Sequence, residues 1–215
     1  TALREELLRL PLQLYTQLQS QIELFHAVLS RAPLYYSQHK PEALAKLSWR
    51  VDQKDTIPTR YEKAFRDLLP SSLQSKSLTE PMIYLVEGNY EYFRRFEFPA
   101  GEYPTYLEDH YGIKTKGGGL NVGKMVTEDF NLVDSNLFTG VQIADLMASG
   151  LRRLMRGGFE RSHEVALLLG SNMAQELGRD RPVVRLISLD TVASTSERTA
   201  RLLGLMKDRA KPLVA

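Results

Sequence analysis

The 215-residue chain contains no cysteine, which excludes disulfides and cysteine-based zinc or iron–sulfur sites. We expect no signal peptide, and no apolar run approaches the ~20 residues of a membrane-spanning helix. A net charge of +2 is too small for a histone-like polycation, so nucleic-acid binding would depend on local basic clusters. With 43% hydrophobic residues, we expect one globular cytoplasmic domain without membrane contact.

Several familiar catalytic motifs are also missing from the sequence. The four histidines show no H-E-x-x-H spacing, and no G-x-S-x-G elbow is present. Gly118, Gly123 and Lys124 match the phosphate-loop spacing, but Met125 stands where a Ser or Thr would hold Mg²⁺. Because Val126–Val133 looks extended, no helix N-terminus is predicted to receive a phosphate there. The sequence therefore argues against nucleotide hydrolysis.

The remaining pattern predicts an α/β protein with strands followed by helices. Met82–Val86 is apolar on both faces, which is typical of a central strand covered on each side. Pro58 is predicted to begin a helix that runs to about Leu69, with Thr56 or Thr59 as its cap. Because this helix lies between the predicted strands Leu47–Asp52 and Met82–Val86, the segment is predicted to be a βαβ crossover. Further helices are predicted over Ser162–Leu177 and Ser194–Asp208, and the predicted strands are Leu47–Asp52, Met82–Val86, Phe130–Val133 and Val183–Leu189.

The first helix is predicted over Leu3–Ser30, where leucines and other apolar residues recur at three- and four-residue steps. Pro11 predicts a kink or a new first turn. His26 lies among apolar residues, so we interpret it as a packing histidine.

Aromatic residues and arginines alternate in an insertion over about 88–128. Such a mixture is able to stack on unpaired bases and contact phosphates. It is equally typical of side chains that pack under a long insertion, and we favour packing. Lys114–Gly123 is predicted to be a flexible loop.

The stretch Phe130–Gly158 is the most informative part of the chain. A strand ends at Asp134, and an amphipathic helix follows, with Thr139 as N-cap, Gln142 completing a capping box and a stop at Gly157. Its predicted core-facing apolar stripe comprises Ile143, Leu146, Met147, Leu151, Leu154 and Met155. Beyond about 159 the chain is predicted to form a helical C-terminal extension.

Acidic residues fall where the predicted strands end. Asp145, in the second turn of the helix, is either an ordinary helical carboxylate or a partner of Asp134 in binding a divalent cation. Asp52 and Glu87 would occupy the same end of a parallel pair, where α/β proteins usually bind ligands, and Asp55 lies close by. Asp52 is interpreted equally well as a residue that caps the turn after its strand and binds no ligand.

The run Val133-Asp134-Ser135 followed by Gly140–Ala148 resembles the C-terminal signature of the DUF3800 family. A second block, Trp49–Asp55 with Pro58, Tyr61-Glu62 and Leu73–Leu78, resembles the middle region of that family. The family is one of bacterial and phage proteins with a ribonuclease H-like fold. The resemblance covers roughly 47–158.

This resemblance implies a ribonuclease H-like mixed sheet flanked by helices and a divalent-metal-dependent nuclease that cuts DNA or RNA. It implies Asp52, Asp134 and Asp145 as catalytic ligands of Mg²⁺ or Mn²⁺. Glu23 on the first helix is a further candidate, although an ordinary surface residue is the simpler interpretation of it. Arg152, Arg153 and Arg156 would then meet the nucleic acid, although a solvated basic face is the simpler interpretation.

The family's acidic first strand has no counterpart before the first helix. We therefore expect upstream residues or a protein partner to complete the sheet and supply the remaining ligand. The alternative is a catalytically inactive ribonuclease H-like scaffold or interaction subunit, which works through the aromatic insertion and the C-terminal helix.

Overall fold

The computed structural model describes residues 2–53, 59–102, 119–175, 183–187 and 195–214. Most of these residues are helical. Seven α-helices lie within these ranges: α1 (Ala2–Leu8), α2 (Leu12–His39), α3 (Arg60–Thr79), α4 (Val122–Thr127), α5 (Thr139–Met155), α6 (Ser162–Gly170) and α7 (Glu197–Arg209). The strands are β1 (Trp49–Asp52), β2 (Phe130–Val133), β3 (Ala174–Gln175) and β4 (Lys211–Pro212), and short 3₁₀ helices cover Pro41–Lys46, Glu91–Phe96 and Ser135–Leu137.

The predicted ribonuclease H-like mixed sheet is wrong. Among the described residues the strands form two small parallel sheets, one pairing β1 with β2 and the other pairing β3 with β4. The second sheet is held by the amides of Lys211 and Leu213, which donate to the carbonyls of Met173 and Gln175 at 3.0 and 2.9 Å. These two pairs are too small to be the central sheet of an α/β domain.

The predicted central strand Met82–Val86 is irregular and largely exposed, with Val86 95% accessible. Local contacts replace sheet pairing here, because the Tyr84 ring stacks on Tyr90 and the Leu85 amide donates to the Tyr90 hydroxyl at 3.2 Å. The predicted βαβ crossover is therefore wrong too. Residues 183–187 of the fourth predicted strand are also irregular, and the rest of that strand lies outside the described residues.

Several predictions that depended on local chemistry are confirmed, although the helix predicted to end near Leu69 extends to Thr79. Strands occur at Trp49–Asp52 and Phe130–Val133, and Pro11 separates α1 from α2. Thr59 caps α3 through a complete capping box with Glu62, which satisfies backbone amides that the first helical turn leaves free.

Contacts divide the chain into two compact units, and the division passes through β1 and β2. The first unit comprises 1–49 and 54–131, and its core lies among α2, α3, α4 and the 3₁₀ helix Glu91–Phe96. The Trp49 indole donates to the Met125 carbonyl at 2.8 Å, and its ring stacks on Phe25 with centroids 4.2 Å apart. The largest fully buried side chains of the first unit are Leu18, Leu29, Leu44, Leu69, Leu73, Phe93, Phe96 and Met125.

The aromatic insertion belongs to this first unit. Tyr90, Phe93 and Phe96 are buried, and the Arg95 guanidinium lies 4.5 Å from the centre of the Phe96 ring. In the described part of the insertion, packing is thus the main role of these rings.

The end of the predicted flexible loop Lys114–Gly123 and the start of the predicted extended run Val126–Val133 are helical instead. Gly123 and Lys124 lie in the six-residue helix α4, which Asn121 caps by accepting the Lys124 amide at 2.8 Å. The Lys124 ammonium donates to the Arg95 carbonyl at 2.7 Å. Gly118 lies outside the described residues.

The second unit comprises 50–53 and 132–215. Its buried core contains Leu154, Ala166, Leu169, Val183, Leu202 and Met206. Helix α5 ends where predicted, because Gly157 takes a left-handed φ of +79°. The predicted capping box is wrong: Phe138 is the N-cap, no side chain caps the helix, and Gln142 donates instead to the Asn136 carbonyl at 3.1 Å.

Candidate functional site

Asp52 and Asp134, the acids predicted at strand ends, lie at the carboxyl ends of the paired strands β1 and β2. The Gln53 amide donates to the Val133 carbonyl at 3.0 Å, which aligns the carboxyl end of β1 with that of β2. The Asp52 carboxylate then accepts the Ser135 amide at 3.3 Å. Since Asp134 directly precedes Ser135, parallel pairing brings the backbones that carry both acids together.

Both carboxylates also have local roles. Oδ1 of Asp134 accepts the backbone amide and the side-chain amide of Asn136, both at 2.9 Å, and so supports the turn after β2. Both acids are exposed. A carboxylate offers about four lone-pair positions, so these hydrogen bonds leave acceptor capacity for a cation.

The third predicted ligand, Asp145, lies on an exposed part of α5 within the same compact unit. In the described ranges no group of three or more His, Asp or Glu residues is placed to hold a metal ion. The structure therefore brings the backbone segments that carry Asp52 and Asp134 together, and in the described residues they are not part of a group of three or more possible ligands. A metal centre containing Asp145 stays a prediction.

The additional candidates Glu23 and Glu87 lie in the first compact unit. Oε1 of Glu23 on α2 lies 2.9 Å from the ammonium of Lys76, which also contacts Glu80 at 2.7 Å. Burial alone would lower the pKa of Lys76, but the two carboxylates outweigh it and the pKa is raised. Glu87 lies in an exposed turn, and Asp55 lies outside the described residues.

The predicted nucleic-acid contacts lie in the last turns of α5, where all three arginines are exposed. Arg153 has a structural role, since its Nε donates to the Gly158 carbonyl at 2.8 Å and its guanidinium lies 4.7 Å from the centre of the Phe159 ring. Within the described residues the side chains of Arg152 and Arg156 make no hydrogen bond or ion pair. These two remain the stronger candidates for contacting an anion.

Sequence reasoning missed Arg198 on α7. Its guanidinium donates to the carbonyls of Leu154 and Met155, at 3.1 and 3.2 Å, and so satisfies acceptors that the end of α5 leaves free. Because 43 and 44 residues separate these partners in the chain, no local sequence signal indicates the contact.

A second unexpected feature is the surface of α5. Met147, Leu151 and Met155 pack against the core as predicted. Ile143 and Leu146 do not, because they are 55% and 71% exposed. Leu137 and Phe138, just before the helix, are exposed as well. The amino-terminal half of α5 thus presents apolar side chains to solvent.

No family model matches this chain, and no curated protein or solved structure is similar to it. The resemblance to the DUF3800 family accordingly stays a prediction. Among the described helices, none combines the length and apolar character needed to cross a membrane.

Proposed function

We propose that this chain contributes carboxylate ligands for a divalent cation to a phosphodiester hydrolase acting on DNA or RNA. The observation that carries this proposal is the hydrogen bond from the Ser135 amide to Asp52, which ties the two acid-bearing strand ends together. Hard carboxylate oxygens are the ligands that Mg²⁺ and Mn²⁺ prefer. Two carboxylates, one at the end of each strand, would supply part of such a coordination sphere.

The chain's own residues would hold and orient the reacting groups. Asp52 and Asp134 would bind the cation, which supplies a lowered pKa for an attacking water and charge stabilisation for the leaving oxygen. Arg152 and Arg156 would contact phosphates of the substrate, and such contacts position a nucleic acid without reading its sequence. No side-chain nucleophile is required.

The remaining ligands would come from Asp145 or from a further acidic strand provided by a partner. The two-stranded sheet of β1 and β2 supports this view, since parallel sheets are ordinarily larger and covered on both faces.

Thermal unfolding with and without Mn²⁺ tests cation binding. We expect Mn²⁺ to raise the melting temperature of the wild-type chain, because a ligand that binds the folded state stabilises it. Asp52→Asn and Asp134→Asn should each abolish this response. Asp208→Asn, at an exposed carboxylate on α7, is the matched control and should retain it. A response that survives both strand-end substitutions contradicts the proposal.

A nuclease assay with Mn²⁺ on single- and double-stranded DNA and RNA tests the chemistry. If Asp145 completes the site, the wild-type chain and Asp208→Asn should cleave at equal rates, whereas Asp52→Asn and Asp134→Asn should be inactive. Arg152→Gln combined with Arg156→Gln should weaken substrate binding and reduce its dependence on salt, because fewer counterions are then released.

The second candidate function is that of an interaction subunit without catalysis. The exposed Ile143 and Leu146 favour it, because contiguous exposed apolar side chains are a usual mark of a protein-binding surface. A chain that shows no Mn²⁺ response and no cleavage, but associates through α5, would establish this candidate over the hydrolase.

A further inference from the structure

A cleft of about 400 Å³ lies between the amino-terminal halves of α6 and α7, within the second compact unit. This volume falls in the ~300–1,000 Å³ range that is usual for small-molecule sites. The cleft combines cationic, polar and apolar side chains, and the described residues that line it are Ser162, His163, Glu197, Arg198, Arg201 and Leu202. The proposed cation ligands Asp52 and Asp134 are not among them, so the function proposed above does not use this cleft.

Hydrogen bonds hold the guanidinium of Arg198 in a fixed position at this cleft. Besides the Leu154 and Met155 carbonyls, it contacts the Ser162 hydroxyl, to which Nη2 donates at 3.4 Å. The Ser162 hydroxyl in turn donates to the Phe159 carbonyl at 2.7 Å. A guanidinium has more N–H donors than these three contacts use, so donors remain for a ligand. Because the side chain is already ordered, binding through it loses little further conformational freedom.

The other ionisable side chains of the cleft are unpaired. Within the described residues, the side chains of His163, Glu197 and Arg201 form no hydrogen bond or ion pair. Arg198 and Arg201 are three residues apart on α7, so they project from the same side of that helix. Two guanidiniums against one carboxylate leave the cleft with a net positive charge. The cleft is therefore suited to an anion, and Glu197 is the one lining residue that opposes it.

We propose that this cleft binds a phosphomonoester, either that of a free sugar phosphate or the terminal phosphate of a nucleic acid. Such a group carries about −1.5 to −2 charge at pH 7 and three strong acceptor oxygens. Donor groups on two helices, those of Arg198, Arg201 and His163, suit three oxygens better than the two coplanar oxygens of a carboxylate. The organic part of the ligand occupies the remaining volume, with Leu202 as its apolar contact.

Isothermal titration calorimetry of the full chain in EDTA tests binding of the phosphate, with ribose 5-phosphate as the probe and ribose as its control. If the phosphate comes from a free sugar phosphate, ribose 5-phosphate should bind saturably and ribose should not. Equal heats from the two sugars would show that the phosphate is not recognised, and they would overturn that source. Because EDTA removes divalent cations and no cleavage is measured, failure of the proposed hydrolase leaves this outcome unaffected.

Charge substitutions on α7 locate the site. Arg201→Gln should weaken binding of the phosphate probe at least about tenfold, because it removes charge-assisted hydrogen bonds to the phosphate. Arg209→Gln, at an exposed arginine of the same helix that does not line the cleft, is the matched control and should leave the affinity unchanged. Glu197→Gln should strengthen binding, because it removes the carboxylate that repels the anion. Circular dichroism should show all three variants folded. Equal weakening by both arginine substitutions overturns the assignment to this cleft.

Fluorescence anisotropy in EDTA distinguishes the two sources of the phosphate. A single-stranded oligonucleotide with a 5′-phosphate is compared with the same oligonucleotide ending in a 5′-hydroxyl. A preference of about tenfold for the phosphorylated end, lost in Arg201→Gln, assigns the site to the terminus of a nucleic acid. Equal affinities for the two oligonucleotides, together with binding of ribose 5-phosphate, assign it to a free sugar phosphate. The proposal is wrong if neither ribose 5-phosphate nor the 5′-phosphate contributes to binding.

Discussion

Substitution of Gly170 tests the close approach of α6 to α7. A Cβ atom added at Gly170 would lie 2.6 Å from the Cα of Met206 and 2.9 Å from its carbonyl carbon. Both are backbone atoms, so no side-chain rotation relieves the clash. Met206 is fully buried in the core of its unit, and the helices must therefore move apart.

We expect Gly170→Ala to destabilise the chain by about 1–3 kcal/mol, the usual cost of overpacking a core. For a protein of this size that corresponds to a melting temperature lower by roughly 2–12 °C. Replacing glycine by alanine in a helix is itself stabilising by about 0.5–1 kcal/mol, which opposes the clash. We therefore expect the net destabilisation to lie towards the lower end of this range.

Gly204→Ala is the matched control, because Gly204 lies within α7 and a Cβ there meets nothing within 4 Å. This variant should be neutral or more stable by up to about 1 kcal/mol. Urea unfolding followed by far-ultraviolet circular dichroism measures both. If Gly170→Ala is as stable as Gly204→Ala, the inferred backbone contact between α6 and α7 does not exist in solution.

Three further substitutions probe the first unit. Thr59→Ala should lower the free energy of unfolding by about 1 kcal/mol, since it removes the capping box with Glu62. Thr59→Ser should retain most of the stability, because serine keeps the capping hydroxyl. The fluorescence of Trp49, the sole tryptophan, reports the unfolding. Trp49→Phe should lower the free energy of unfolding in urea by about 1–3 kcal/mol, because the Met125 carbonyl loses the indole donor. An unchanged free energy of unfolding would show that this hydrogen bond is unimportant. Partial burial, with Tyr90 and Glu97 nearby, raises the pKa of Tyr84 from 10.0 to about 12. Because the pKa is higher in the folded state than in the unfolded state, the free energy of unfolding should fall as pH rises from 10.0 to about 12. Tyr84→Phe should lessen that fall in thermal unfolding at alkaline pH.

The sequence predicted those features that depend on a few neighbouring residues. Pro11 interrupts a helix because it lacks an amide proton, Thr59 caps one with its hydroxyl, and Gly157 ends one in a left-handed conformation. Phe130–Val133 was recognisable as a strand from its composition and from the turn residues after it. The two strand-end acids of the candidate site were found in the same way.

Pairing over long distances decided the rest. Met82–Val86 has the composition of a central strand, but a strand forms only where another edge satisfies its amides and carbonyls, and Tyr90 offers a local contact instead. Helix periodicity predicted one apolar stripe on α5, yet α6 and α7 cover only part of it and leave Ile143 and Leu146 exposed. The contact of Arg198 with the end of α5 likewise exists only because α7 packs there. Local chemistry therefore determined individual boundaries such as those at Pro11, Thr59 and Gly157, and tertiary packing determined other helix ends and which surfaces are covered.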